Sequence, residues 1–332
     1  MTRTAVIGCG DISVMHLRAI EANPDIELVA VCDTDADRLA ATAEQTGVPG
    51  FTDHRELIGS GRVDVVHIAT PHNEHAPLAI DFLDAGIDVL LEKPMAHTLS
   101  GAQALQAAAE ASDARFAVCF QNRYNAPVQA LRSLLDSGAL GPVLGAFGMV
   151  VWHRTAEYYV SRPWRSTWAG GGGGLLLNQA IHTLDLLQWM MGEVTEVAGT
   201  AATRSLAEAI EVEDTAEINL THANGAHSVF FATVSHARDT PVIAEFVTEQ
   251  AVLRLDGVLT VAYHDGRVET VTERTVEGGG RSYWGVSHEL LINDFHAGHG
   301  SGEPFWIGAD EGIKTIKIID AVYRQSGFTP PG

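Results

Sequence analysis

Thr4-Ala5-Val6-Ile7-Gly8-Cys9-Gly10-Asp11-Ile12-Ser13 decides the fold. A short apolar run ends on two glycines one residue apart, and a helical pattern follows from Ile12. The spacing reads G-x-G-x-x-G with Ser13 in the third glycine's place. Gly8 permits a tight turn, Gly10 lets the backbone approach a pyrophosphate at the helix N-terminus, and Ser13 is small enough for close helix–strand packing. Asp33 ends the next apolar run. An acidic side chain there holds both ribose hydroxyls and repels a 2′-phosphate, which points to NAD, with NADP the alternative because Arg38 lies close in sequence.

Outward from this stretch, apolar runs alternate with helical patterns. Thr4–Ile7, Glu27–Cys32, Val63–Ala69, Val89–Leu91 and Phe116–Phe120 read as strands; Ile12–Asn23, Ala36–Thr46, His75–Ala85 and Ser100–Ala111 read as helices. Such alternation predicts βαβ units in a doubly wound parallel sheet. Residues 1–121 are therefore expected to form a Rossmann domain and residues 122–332 a second domain. Ligands of such sheets lie at the strands' carboxyl ends. That rule places Thr70, Pro71, Asn73 and His75 in the cofactor crevice. His72 and His75 have no third ligand at suitable spacing, so helix capping and packing are expected of them, and no metal.

Composition bounds the function. Of 332 residues, 46% are hydrophobic and 19% charged, as in a globular protein. The net charge of -21 repels nucleic acid and anionic membrane surfaces. No apolar run is long enough for a membrane span, and with a strand pattern from Thr4 no secretory signal is expected. Cys9, Cys32 and Cys119 sit in apolar segments without zinc-type spacing, which predicts buried, unpaired thiols and a cytoplasmic location.

The 21 cationic residues include only three lysines, Lys93, Lys314 and Lys317. Lys93 ends the apolar run Val89-Leu90-Leu91-Glu92 and abuts Pro94. Burial and neighbours bring a lysine towards neutrality, so an acid–base role stands beside that of a solvated strand-end lysine.

Beyond Phe120, Pro127–Ser137 reads as a helix and Val143–Trp152 as an alternating strand. A loop rich in arginine and aromatic residues, Arg154–Trp168, leads to Gly170–Gly174 and a long amphipathic helix, Leu175–Met191. The glycine run at this helix entrance predicts close approach of another backbone or of a ligand. Asn178, His182 and Asp185, spaced by four and three, fall on one helix face. A neutral imidazole held by polar neighbours accepts protons near pH 7, and a core histidine with one hydrogen bond is the competing account. Glu193–Arg204, Thr215–His222, His227–Ser235, Val242–Thr248 and Ala251–Leu255 read as consecutive strands, which fits an antiparallel sheet.

Gly8-x-Gly10-x-x-Ser13 with His16, Ala69-Thr70-Pro71…His75, Glu92-Lys93-Pro94 and Gly172-Gly173-Gly174-x-x-x-Asn178-Gln179-x-x-His182-x-x-Asp185 occur in that order. Together they resemble the Gfo/Idh/MocA family of sugar and cyclitol oxidoreductases. The resemblance extends to Trp284-Gly285-Val286-Ser287-His288, Asp294-Phe295 and the final helix to Tyr323.

The resemblance implies an α/β protein, with a Rossmann domain followed by an α/β domain built on a large open antiparallel sheet. That sheet would join a homodimer or homotetramer. It also implies NAD(P)-dependent interconversion of a secondary hydroxyl and a ketone, with Lys93, before a cis proline, and His182 as catalytic residues. His182 acts as the base while Lys93 stabilises the developing alkoxide, or the roles are reversed. The Asn-Gln-x-x-His form resembles the branch acting on pyranosides and nucleotide sugars. An inositol or cyclitol dehydrogenase and a cofactor-binding sensor without turnover are the alternatives, and a reductase of an unsaturated substrate would need a flatter, more apolar pocket. Lys93, Asn178, Gln179, His182, Tyr158 and His153 are the expected substrate residues. Gly8, Gly10, Asp11, Ile12, Asp33, Thr70, Pro71, Asn73, His75, Glu92, Lys93, Gln121, Trp164 and Arg165 are the expected cofactor residues. Arg123 is placed at the rim, and Asp185 on the His182 ring.

Overall fold

The computed structural model describes residues 1–273 and 287–328. The chain runs β1 (Thr2–Ile7), α1 (Ser13–Ala22), β2 (Ile26–Cys32), α2 (Ala36–Thr46), β3 (Gly50–Phe51), α3 (His54–Gly59), β4 (Val65–Ile68), α4 (His72–Asp84), β5 (Asp88–Glu92), α5 (Leu99–Ala111) and β6 (Phe116–Cys119). It continues through α6 (Ala126–Asp136), β7 (Val143–Val151), α7 (Ala156–Val160), α8 (Trp168–Gly171), a π-helical turn over Leu176–Ala180 and α9 (Ile181–Met191). Then come β8 (Val194–Ala202), β9 (Thr215–His222), β10 (His227–Thr233), β11 (Ile243–Thr248), β12 (Ala251–Leu255), β13 (Val258–Tyr263), β14 (Val268–Thr272), α10 (Ser287–Ala297) and α11 (Ala309–Gln325).

Two compact units emerge, Met1–Gln121 with Gly280–Ile313, and Asn122–Gly279 with Lys314–Gly332. This division differs from an uninterrupted second domain over 122–332. The physical reason lies in α10, which packs along α1 and buries Leu291, Ile292 and Phe295. Of the expected closing segment, Trp284, Gly285 and Val286 lie outside the described residues, while Ser287 and His288 open α10.

The first unit holds a six-stranded sheet in the order β3-β2-β1-β4-β5-β6, every pairing parallel. Its central strands are apolar because helices cover both faces; every residue of β4 and β5 is buried. Side chains start the helices: Asp35 accepts from the Asp37 and Arg38 amides at α2, and Thr98 from the Gly101 amide at α5. The strand order reverses between β1 and β4, so the crevice expected of this topology opens at their carboxyl ends. Cys32 and Cys119 are buried free thiols as expected, but Cys9, in the β1–α1 turn, is only half-buried.

The second unit holds an eight-stranded sheet, β14-β13-β12-β11-β7-β10-β9-β8. All its pairings are antiparallel except β7 with β10, so the sheet is mixed rather than purely antiparallel. Strands such as β11 alternate buried and half-buried residues, the signature of one covered face, and α9 lies against β7 on that side. Among the described residues no helix is long and apolar enough to cross a membrane.

Candidate active site

In the first unit the β1–α1 turn has the form its glycines demand. Gly8 adopts a φ of +92°, and a Cβ there would lie 2.5 Å from the Ala69 carbonyl oxygen. A side chain is thus excluded by backbone conformation and by the neighbouring β4 loop together. A Cβ on Gly10 would meet nothing within 4 Å, so that backbone faces open space. Ser13 is buried and donates its hydroxyl to the Gly10 carbonyl at 2.7 Å, closing the turn. No side chain caps α1 at Ile12, which leaves the amide end of the helix to an anion; the exposed Asp11 precedes it.

Asp33 follows β2 and is fixed on both carboxylate oxygens, by the Cys9 amide at 2.8 Å and the Asp35 amide at 2.8 Å. Arg38 is drawn towards Asp35 at 3.2 Å and Asp33 at 3.7 Å. Past β4, the Thr70 hydroxyl is buried without a hydrogen-bond partner, an unmet polar group of the kind a ligand satisfies. The open glycine turn, the uncapped helix, the fixed Asp33 and this Thr70 hydroxyl suit a dinucleotide.

Three expected cofactor residues are engaged elsewhere. His75 is buried in α4, with Nδ1 2.7 Å from the Pro94 carbonyl oxygen and Nε2 2.9 Å from that of Thr70, so it ties the two loops together. Burial lowers its pKa. Asn73 donates to the Glu74 carboxylate at 2.5 Å. Glu92 turns its carboxylate into the interior, where His16 and His288 reach it at 3.1 and 3.2 Å. Burial acts to raise the Glu92 carboxyl, but these hydrogen bonds outweigh it and hold the group well below the usual range.

Lys93 follows β5, half-buried, with a cis bond to the buried Pro94. Its ammonium acts electrostatically on His75 and Cys119. Cys119 itself is pushed well above its ordinary value by burial and then by Glu92, so the thiol stays protonated. His16, Glu92 and Cys119 place donor atoms within 4.8 Å of one another, a grouping the sequence did not suggest. Gln121 is buried just past β6.

In the second unit the glycine run is a cradle. A Cβ on Gly173 would lie 2.1 Å from the Tyr323 hydroxyl oxygen, and one on Gly174 2.1 Å from the Glu213 carbonyl oxygen. The buried Glu213 accepts from the amides of Gly174 and Leu176 at 2.9 and 2.8 Å and from the Tyr323 hydroxyl at 2.8 Å. It thereby takes the part of an N-cap for the helix that follows. Burial raises its carboxyl to about 7, against the opposing effect of these hydrogen bonds. Neither Glu213 nor Tyr323 stood out in the sequence as a partner of the glycines.

The helix entrance is a π-turn, a form frequent at functional sites, rather than the plain α-helix expected from Leu175. Asn178 lies in that turn and His182 at the second position of α9, both half-buried. Asp185, three residues beyond His182, is paired with Arg123. Its carboxylate receives Arg123 in a two-pronged pair at 2.9 and 2.7 Å, both side chains essentially without exposure. Arg123 is therefore a core residue stacked 4.9 Å from the Trp189 ring centre, not a rim residue.

Gln179 donates to the Tyr158 hydroxyl at 3.2 Å, and the Arg165 guanidinium lies 5.0 Å from the Tyr158 ring and 5.3 Å from that of Trp164. These four expected residues form one cluster, and the Gln179 carbonyl oxygen is buried without a partner. His153 is exposed, with its ring nitrogen 2.6 Å from the His236 carbonyl oxygen.

Comparison with known proteins agrees with both units. Residues 2–120 match the family model described as an oxidoreductase family with an NAD-binding Rossmann fold, and residues 128–254 match the GFO/IDH/MocA C-terminal domain. The chain is 28% identical to a D-apiose dehydrogenase of Paraburkholderia graminis, over 97% of this chain and 87% of that protein. It is 30% identical to inositol 2-dehydrogenase 2 of Saccharopolyspora erythraea, over 98% of this chain and 94% of that protein. The solved WlbA dehydrogenase from Bordetella pertussis, in complex with NADH and UDP-GlcNAcA, is 29% identical with a TM-score of 0.84, covering 98% of this chain and 96% of that one. The protein belongs to the Gfo/Idh/MocA family and is an NAD-dependent oxidoreductase.

Proposed function

We propose that the protein oxidises a secondary hydroxyl of a pyranoside or nucleotide-sugar-like substrate to a ketone, or runs the reverse, with NAD. The observation that carries this reading is the position of Lys93. It leaves β5 at the same carboxyl edge of the sheet as Thr70, which follows the neighbouring strand β4, and as the open Gly8–Ile12 turn. NAD, when bound, would supply the hydride acceptor. The amides from Gly10 to Ser13 would hold its phosphates, Asp33 a ribose, and Thr70 a further polar group. Trp164 and Arg165 would supply outer contacts.

His182 takes the hydroxyl proton and Lys93 stabilises the developing alkoxide charge, with the reverse division the variant to be tested. Asn178 and Gln179 orient hydroxyl groups, and Tyr158 offers a ring face to the sugar. Support for the sugar class comes from the relatives, which are named dehydrogenases of apiose and inositol and a dehydrogenase in complex with a nucleotide sugar.

A homodimer or homotetramer through the eight-stranded sheet is part of the same reading. Phe147 and Val229, register partners on β7 and β10, remain 37% and 49% exposed, an apolar pair on a face that a second copy would cover. Three free cysteines support a cytoplasmic location.

The test is a panel of sugars, glycosides, nucleotide sugars and inositols, assayed by absorbance of reduced nicotinamide with NAD and NADP in parallel. Lys93→Ala and His182→Ala should each lower kcat by ~100-fold or more while NADH binding persists. Wild-type rates in both variants would overturn the assignment.

A further inference from the structure

A single residue, Glu213, receives three consecutive amides at the entrance of the helix that carries Asn178 and His182. Gly174 donates to Glu213 Oε2 at 2.9 Å and Leu176 to Oε1 at 2.8 Å, while the amide between them, Leu175, takes the Glu213 main-chain carbonyl at 3.1 Å. A helix start leaves such amides without partners in its own ladder, and here one residue of the chain supplies all three. The Asn178 amide then takes the Gly174 carbonyl at 3.0 Å. Asn178 thus stands one hydrogen bond from the residue that Glu213 fixes, and His182 follows a turn later.

The remaining partner of the carboxyl is Tyr323 of α11, whose hydroxyl lies 2.8 Å from the same Oε1 that Leu176 uses. Its ring stands edge-on to Trp168, 5.0 Å between centres, and its hydroxyl fills the space that a side chain on Gly173 would need. Glu213 and Tyr323 are both buried. With Gly174, Leu176 and Tyr323 all donating, the arrangement is that of a carboxylate, which only accepts. A protonated carboxyl must itself donate, and the Tyr323 oxygen is in place to accept, so that one hydrogen bond reverses. Bonds to the charged form are the stronger set.

We propose that Glu213, together with Tyr323, is a positioning residue for the reaction: as the carboxylate it holds the helix entrance in the register that presents Asn178 and His182 to the substrate. The proposal rests on the dehydrogenase reading above. Glu213 acts through the backbone from Gly174 to Asn178 and touches no reacting atom. Its ionisation adds a second requirement to the proton chemistry of His182, from a group remote from the bond being changed. When it ionises, the carboxyl proton leaves to water and Tyr323 turns its O–H onto the freed oxygen.

The titratable groups around Glu213 leave that ionisation to it. Burial raises the hydroxyls of Tyr323 and of Tyr159 in α7, so both stay neutral. Asp214, the next residue, is opposed by burial, but the Arg204, Ser205 and Leu206 amides and the Thr215 hydroxyl hold it below its ordinary value, so it stays charged. Glu213 alone of these four changes charge near neutrality, at about 7.

Two measurements test the assignment. With His182 and Glu213 both required unprotonated, log kcat/KM for the sugar should fall towards acid pH with a limiting slope of two in the wild type and of one in Glu213→Gln. The variant's kcat should drop by roughly tenfold or more while NADH affinity is retained. Should that variant misfold, Tyr323→Phe removes one donor to the charged form, and its acid limb should move to higher pH. A purely structural role would lower the folded fraction and leave slope and limb as in the wild type, which would overturn the proposal. Independently of turnover, NMR of the cofactor-free protein should show the Asn178 side-chain amide shifting with a midpoint near 7, and that shift should vanish in Glu213→Gln. Identical Asn178 titration curves in the two proteins would also overturn it. A wild-type protein inactive on the whole panel would remove the dehydrogenase reading, and the Asn178 titration alone would then decide whether Glu213 sets the helix entrance.

Discussion

The strongest lever on the helix that carries Asn178 and His182 is the carboxyl of Glu213. It is wholly buried, it receives the Gly174 and Leu176 amides and the Tyr323 hydroxyl, and its pKa rises from the ordinary 4.5 to about 7. The folded protein therefore binds this proton more tightly than the unfolded chain does. The associated stability is fully present below pH 4.5 and is lost as pH rises through 7. At ~1.4 kcal/mol per tenfold change in proton affinity, the loss amounts to about 3 kcal/mol. The assay is urea unfolding of the wild type and Glu213→Gln between pH 5 and pH 8, with stability plotted against pH for each. The amide in the variant cannot titrate, so the difference between the two curves isolates this carboxyl. It should grow in favour of the variant by about 3 kcal/mol towards high pH. Parallel curves would refute the reasoning, because they would mean that the Glu213 proton affinity is the same folded and unfolded.

Arg123→Ala leaves the Asp185 carboxylate buried without its two-pronged partner and should cost about 3–5 kcal/mol in urea unfolding, with Arg123→Met/Asp185→Leu recovering much of it; a loss under ~1 kcal/mol would place the pair in effective contact with water. Gly8→Ala puts a Cβ 2.5 Å from the Ala69 carbonyl oxygen at a φ of +92°, so NADH affinity by fluorescence titration should fall by roughly tenfold or more. Unchanged binding would show that the turn does not contact the dinucleotide.

The parts of the molecule legible in the sequence are those whose signal is local. The first sheet was readable because strands covered on both faces are nearly unbroken apolar runs, and Gly8 is required by a turn a few residues long. Lys93 was readable because lysine is rare in this chain. The parallel pairing of β7 with β10 was not, since nothing in either strand states its neighbour. Nor was β14, an edge strand of the form Val268-Glu269-Thr270-Val271-Thr272 that buries little. Glu213 acquires its role only by meeting Gly174, 39 residues away in sequence, and His67 by meeting His296, 229 away.

One of these distant meetings nonetheless left a local trace. Val65-Val66-His67-Ile68 places an imidazole in a strand whose every residue is buried. A polar group in such a strand must find a partner or bear the full cost of desolvation, on the order of 1–3 kcal/mol. His67 therefore implied a second polar group in the interior before any partner could be named. The same reasoning applies to Glu92, the last residue of the adjacent strand and also buried. Two neighbouring strands of one parallel sheet, each carrying an ionisable residue where only apolar ones are expected, point to a polar line across the core. The sequence could locate its two fixed points, whereas the connecting His16 and the terminus at His296 depend on how α1 and α10 pack.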